Sequence, residues 1–253
     1  MIWEISPCSQ LSGRIAVPGS KSHTIRAVVA ALLAEGTSEI CAPLYSADTQ
    51  SALNAAKALG ADASLQVTPY YNKPTPEGLY RHFATIADET GLPVVLYNVP
   101  GRAGVPIPVD TIAKLSSHPL MVAVKEAGGS VDRVSQIKDR CDITVLSGDD
   151  GLTIPMMAVG ASGIISVASN VIPAELTQMV KFALDGDFKS AAAMHKKYYR
   201  FFTDLFIESN PIPVKAALEI IGKGKAEYRL PLCELSAAHY EQLRETMKHC
   251  GVI

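Results

Sequence analysis

Between residues 63 and 184, short apolar runs alternate with amphipathic stretches at a spacing that leaves few folds open. Residues 63–68, 93–97, 120–125, 143–146 and 163–167 read as strands. Residues 76–90, 108–116, 131–140, 152–159 and 173–184 read as the helices that follow them. A helix between every two strands dictates parallel pairing, and an uninterrupted apolar run such as Leu120-Met121-Val122-Ala123-Val124 suits a sheet covered on both faces. The chain is therefore α/β, either a TIM (β/α)8-type barrel or an open doubly wound sheet. After Gly186 no strand pattern appears. Helical periodicity continues through 188–207, 212–221 and 236–250, an α-only appendage.

Upstream, residues 13–18 and 38–44 read as strands and 22–33 and 47–59 as helices. The total is seven strands, one βα unit short of a standard barrel, with a further strand at 2–6 able to fill the gap. The expectation is a closed sheet whose N-terminal quarter pairs irregularly.

A chain of 253 residues, 48% hydrophobic, is long enough for one such barrel. Its net charge of −2 and its lack of a basic run argue against nucleic acid or an anionic membrane as main partner. No stretch approaches the ~20 apolar residues of a membrane span. Met1-Ile2-Trp3-Glu4 lacks the basic region and long apolar core of a signal peptide. Five scattered cysteines with no C-x-x-C pair read as reduced thiols in a cytoplasm. The six histidines are equally dispersed, so no metal centre is expected.

In a parallel barrel the C-terminal ends of all strands meet on one face, where active sites are built. Tyr71 follows the first of the five regular strands. Tyr97 and Asn98 end the second, with Arg102 in the loop behind them. Lys125 ends the third; Ser147, Gly148, Asp149 and Asp150 follow the fourth; Ser166 and Asn170 lie at or past the fifth. Lys125 has two readings: a strand end that has reached water, or an amine in a dry pocket whose lowered pKa lets it attack a carbonyl and form a Schiff base. Tyr97 is either a satisfied core tyrosine or a proton-shuttling hydroxyl. Arg102 is either a surface ion pair or a planar fork for a carboxylate. The Asp149-Asp150 pair reads as a cap on the next helix before it reads as a metal site. Gly148 leaves space for backbone to approach a ligand.

From about Ala58 onward, ordered stretches resemble the dihydrodipicolinate synthases, pyruvate-dependent Schiff-base aldolases built on a TIM barrel. They are Gly60-Ala61-Asp62-Ala63, Val67-Thr68-Pro69-Tyr70-Tyr71-Asn72-Lys73-Pro74, Tyr97-Asn98-Val99-Pro100-Gly101-Arg102, Val124-Lys125-Glu126-Ala127, Leu146-Ser147-Gly148-Asp149-Asp150 and Asn210-Pro211-Ile212-Pro213-Val214-Lys215. The resemblance implies that Lys125 forms an imine with pyruvate and that Tyr97 relays protons. It further implies that Arg102 holds the carboxylate of aspartate semialdehyde and that Tyr71 reaches a neighbouring subunit's site. Gly148 and Ile165 would line the pyruvate pocket. No external cofactor is implied beyond the covalent pyruvate imine, and the family is typically a homotetramer. Related aldolases for sialic acid share Tyr97 and Lys125, but the run from Asn98 to Arg102 favours the dipicolinate branch.

The first sixty residues read differently. The family's Gly-Thr-Thr-Gly-Glu string, whose threonines bind the pyruvate carboxylate and complete the tyrosine relay, does not occur in this chain. Leu11-Ser12-Gly13 and Val17-Pro18-Gly19-Ser20-Lys21-Ser22, with Arg26, instead resemble the start of enolpyruvylshikimate-phosphate synthase. The expected organisation is thus a fused segment at 1–57, barrel units at 58–186 and a helical region at 187–253. Turnover is expected to be impaired by the missing relay hydroxyl, and the alternative is a catalytically inactive scaffold barrel.

Overall fold

The structure is a computed structural model and describes residues 60–253. The strands and helices expected before residue 60, and the irregular N-terminal quarter with them, lie outside the described residues.

Four parallel strands pair in sequence order: β1 (Ser64–Val67), β2 (Val94–Asn98), β3 (Met121–Glu126) and β4 (Thr144–Ser147). Between them run α1 (Pro76–Thr90), the short α2 (Pro100–Ala103), α3 (Val109–Ser116) and α4 (Val131–Arg140). Thr75 caps α1 by accepting from Gly78 N at 3.2 Å, Pro76 opens the helix where no partner for its nitrogen is needed, and Gly91 closes it at φ 60°. Ser130 caps α4 in the same way. The helices lay apolar stripes on the sheet, with Leu79, Phe83, Ile112, Leu115, Val134 and Ile137 all fully buried.

Alternation along the strands separates two faces. Val94, Leu96, Val124 and Val145 are wholly buried, while the partly open face carries Val67, Tyr97, Lys125 and Leu146 in lateral register. The ladder slips once. Val94 pairs with Met121 but Val95 with Ala123, so Val122 is an extra residue and stays exposed while Val124 is buried.

The strand expected at 163–167 is a correction. Among the described residues it contributes only an isolated bridge, Ser147 to Ile164, held by Ser147 N donating to Gly163 O at 2.8 Å and Ile165 N donating to Ser147 O at 2.9 Å. The Asp150 carboxylate takes the next two amides, those of Val167 and Ala168, at 3.1 and 3.2 Å. These amides are lost to any ladder, and the chain turns into a short 3-10 helix at Ala168–Asn170.

From there the described chain is helical: α5 (Thr153–Ala158) precedes the bridge, and α6 (Pro173–Leu184), α7 (Phe188–Asp204), α8 (Ile212–Ile220) and α9 (Ala237–Cys250) follow it. α6 packs on α7 and α7 on α9. The buried Asp204 carboxylate stitches the latter pair, accepting from Thr246 Oγ1 at 2.6 Å and Gln242 Nε2 at 3.1 Å.

Candidate active site

The site grows from the strand register. Tyr97 and Lys125 are direct partners in the β2–β3 ladder, so their side chains leave the sheet side by side on the same face. Lys125 Nζ stands 4.2 Å from the centroid of the Tyr97 ring. That is well within the range at which an amine and an aromatic face attract each other.

Gly148 follows β4 directly beneath this pair. Its N–H donates to Glu126 O at 2.7 Å, drawing its backbone against β3. A Cβ there would stand 2.7 Å from Ala127 Cβ and 3.1 and 3.2 Å from Lys125 Cε and Cγ. The glycine therefore makes room for the lysine stem itself, a more specific reason than open space for a ligand. Ile165, tied to Ser147 through the bridge, borders the same strand end.

The two aspartates divide their work. Asp149 is the expected cap: its Oδ1 accepts from Gly151 N at 2.8 Å and Leu152 N at 3.2 Å. Asp150 turns inward and is 2% exposed, accepting from the Ser166 hydroxyl as well as from the Val167 and Ala168 amides. Burial pushes its carboxyl above the usual aspartate range, against the pull of those three donors.

Arg102 lies exposed on α2, and its guanidinium donates to Asn210 O at 3.3 Å, linking the loop after β2 to the start of α8. Tyr71 stands apart. Its backbone takes the left-handed φ of 72° and the residue is 94% exposed. The described residues thus bring Lys125, Tyr97 and Gly148 together, border them with Ile165, hold Arg102 on a neighbouring loop and leave Tyr71 facing outward. No group of three or more His, Cys, Asp or Glu able to hold a metal occurs among the described residues.

Sequence reasoning missed one group altogether. Glu126, 0% exposed, receives Asn98 Nδ2 at 2.7 and 2.9 Å, Gly128 N at 2.7 Å and Arg133 Nε at 2.8 Å. The available signal was a carboxylate and an amide ending adjacent strands in the same register, both inside otherwise apolar runs.

A parallel α/β sheet that sets a lysine and a tyrosine side by side at its strand ends has the arrangement an aldolase-type, Schiff-base lyase requires. The sequence profile of the Dihydrodipicolinate synthetase family matches residues 23–250, and the chain belongs to that family. It is 50% identical over 202 residues to the 4-hydroxy-tetrahydrodipicolinate synthase of Sulfurihydrogenibium sp. (strain YO3AOP1), covering 78% of this chain and 69% of that protein. The crystal structure of dihydrodipicolinate synthase from Aquifex aeolicus is similar at a TM-score of 0.83 and 43% identity, covering 92% of this chain and 81% of that one. The chloride-inhibited enzyme from Acinetobacter baumannii complexed with pyruvate gives 0.82 and 39%, covering 92% and 82%. The fold is that of the TIM barrel shared with these structures. The family match begins inside the stretch read as foreign, so residues 23–57 fall within it, and the enolpyruvylshikimate-phosphate synthase reading gains no support.

Proposed function

We propose that this chain is a 4-hydroxy-tetrahydrodipicolinate synthase of lysine and diaminopimelate biosynthesis, condensing pyruvate with aspartate semialdehyde through an imine on Lys125. The neutral Lys125 amine attacks the pyruvate keto carbon, and loss of one water gives the imine. Loss of a methyl proton turns the imine into an enamine, whose carbon attacks the aldehyde. The Tyr97 hydroxyl carries protons in both stages. Arg102 grips the carboxylate of the aldehyde substrate. Gly148 and Ile165 line the pyruvate pocket, and no external cofactor takes part.

Tyr71 completes the site of a neighbouring copy, which accounts for an exposed tyrosine on a strained backbone. The working form is then a homo-oligomer, a dimer or a tetramer, in the cytoplasm. No helix among the described residues is long and apolar enough to cross a membrane. Residues 58–186 supply the catalytic barrel units and 187–253 the helical region.

The observation that carries this reading is the register pairing of Lys125 with Tyr97, amine over ring, with Gly148 clearing the lysine stem. Borohydride reduction in the presence of pyruvate, read by mass spectrometry, tests it. The parent chain gains one reduced pyruvate adduct and Lys125→Ala gains none; a parent chain that gains none overturns the reading. A coupled turnover assay then separates imine formation from condensation, the step that the missing Thr-Thr string is expected to weaken.

A further inference from the structure

Glu126 is the chain neighbour of Lys125, and alternation sends its side chain to the opposite face of β3, away from the amine. There it is fully buried and bonds the start of the loop that carries Arg102, while its partners Asn98 and Arg133 hold the loop's end. At the start of that loop, Asn98 gives both Glu126 oxygens its amide nitrogen at 2.7 and 2.9 Å. At the loop's end, Asn98 Oδ1 accepts from Ile107 N at 2.9 Å, and Arg133 donates to Ile107 O while its Nε holds Glu126 at 2.8 Å. Both backbone groups of Ile107, itself 0% exposed, are therefore committed to this network. Gly128 fits for the same reason: a Cβ there would meet Glu126 Oε1 at 2.6 Å and Asn98 Nδ2 at 3.1 Å. A buried carboxylate with four donor contacts, one of them from a cation, stays satisfied only while all its partners hold their places.

We infer that Glu126 is a positioning residue that, through Asn98 and Arg133, pins residues 98 and 107 and so fixes Arg102 relative to Lys125. The inference rests on the proposed roles of those two residues. One strand end then sets both halves of the site: Lys125 on one face meets the first substrate, and Glu126 on the other holds the loop that meets the second.

Two variants and two readouts test it. Arg133→Lys keeps the charge but cannot reach Glu126 and Ile107 together, and it is the gentler change. Glu126→Gln removes the charge and turns an amide donor toward the donors of Asn98, Gly128 and Arg133. Amide hydrogen exchange, which needs no activity, should quicken about tenfold or more across 99–107 in Arg133→Lys while 121–126 stays protected. Unchanged exchange at 99–107 overturns the inference whether or not the chain forms an imine, and so distinguishes its failure from failure of the functional reading.

In kinetics, either variant should raise KM for the aldehyde about tenfold to a hundredfold, leave pyruvate trapping within about twofold, and add almost nothing in an Arg102→Ala background. A merely structural role would lower trapping and stability together and would multiply with Arg102→Ala; either result overturns the proposal. If Glu126→Gln does not fold, Arg133→Lys decides on both readouts.

Discussion

Lys125 and Tyr97 are ladder partners, and the amino nitrogen of the first lies 4.2 Å from the ring centroid of the second. Ring and hydroxyl of the tyrosine therefore have separable duties. The ring walls the amine, and the hydroxyl is the group able to carry a proton. The two can be uncoupled because a phenylalanine keeps the wall.

Tyr97→Phe should leave borohydride trapping of pyruvate within about twofold of the parent in final yield. Condensation should fall about 10²- to 10⁴-fold, the range that a positioned proton donor supplies. Adduct mass and coupled turnover, measured on the same preparation, check both halves. Equal loss in the two assays would place the hydroxyl's importance in imine formation instead.

Gly148 offers a test of space. The added methyl of Gly148→Ala would stand 2.7 Å from Ala127 Cβ and just over 3 Å from two carbons of the Lys125 stem. Relief requires a shift of the strand or of the lysine, so the variant should lose about 1–3 kcal/mol of stability. Its initial rate of pyruvate trapping should fall about tenfold or more, since a misplacement of about 1 Å can cost a hundredfold. Gly101→Ala is the matched control: among the described residues no tertiary neighbour lies within 4 Å of its Cβ, and its stability should change by less than about 1 kcal/mol. Denaturant melts and a trapping time course distinguish the two glycines.

Much of this geometry was legible because it follows from period and punctuation. The helices at 76–90, 131–140 and 173–184 coincide with α1, α4 and α6, each opened by a Pro or a capping side chain. Lys125, Tyr97 and Gly148 could be gathered because parallel strands bring their C-terminal ends to one side. What stayed hidden was decided by side chains reaching across elements. The strand expected at 163–167 dissolves because Asp150, sixteen residues upstream of Ser166, captures the hydroxyl of Ser166 and the two amides after it. Glu126 looked like the tail of a motif, since nothing local says that Asn98 and Arg133 will meet it in the interior. The exposure of Val122 likewise needs the one-residue slip in the β2–β3 ladder, which no apolar pattern records.

Asp150 also gives a pH signature. Its carboxyl is held above the ordinary aspartate range by burial, so the folded chain binds this proton more tightly than the unfolded one. Between the ordinary value of 3.8 and the raised one, the contribution to stability grows as pH falls and is lost as pH rises through the raised value. Asp150→Asn keeps an oxygen for the Val167 and Ala168 amides and turns its amide toward the Ser166 hydroxyl, but does not titrate. Subtracting the two denaturation curves at a series of pH values upward from the ordinary 3.8 cancels the groups the substitution leaves unchanged. The stability of Asp150→Asn relative to the parent should decline steadily on acidification across the window. A difference that does not move with pH would mean that folding leaves the proton affinity of Asp150 unchanged.

The last prediction concerns whether the helical region folds with the barrel. α6 packs on α7 and α7 on α9, so the layers run on without a break from the strand-bearing part of the chain into residues 187–253. The α7–α9 contact has one removable fastener: Thr246 Oγ1, 2.6 Å from the buried Asp204 carboxylate. Thr246→Val keeps the shape and strips the donor, while the Gln242 bond to that carboxylate remains. The cost should be about 1–3 kcal/mol, the penalty of under-satisfying a buried acceptor. If the helices and the barrel unfold as one body, the variant shows a single transition at lower denaturant with an unchanged m value, and pyruvate trapping is lost at the same midpoint. If 187–253 is a separate folding unit, the curve splits, and trapping survives the first step because Lys125, Tyr97 and Gly148 all belong to the strand-bearing part. Far-UV circular dichroism beside adduct mass at each denaturant concentration reads both outcomes from one titration.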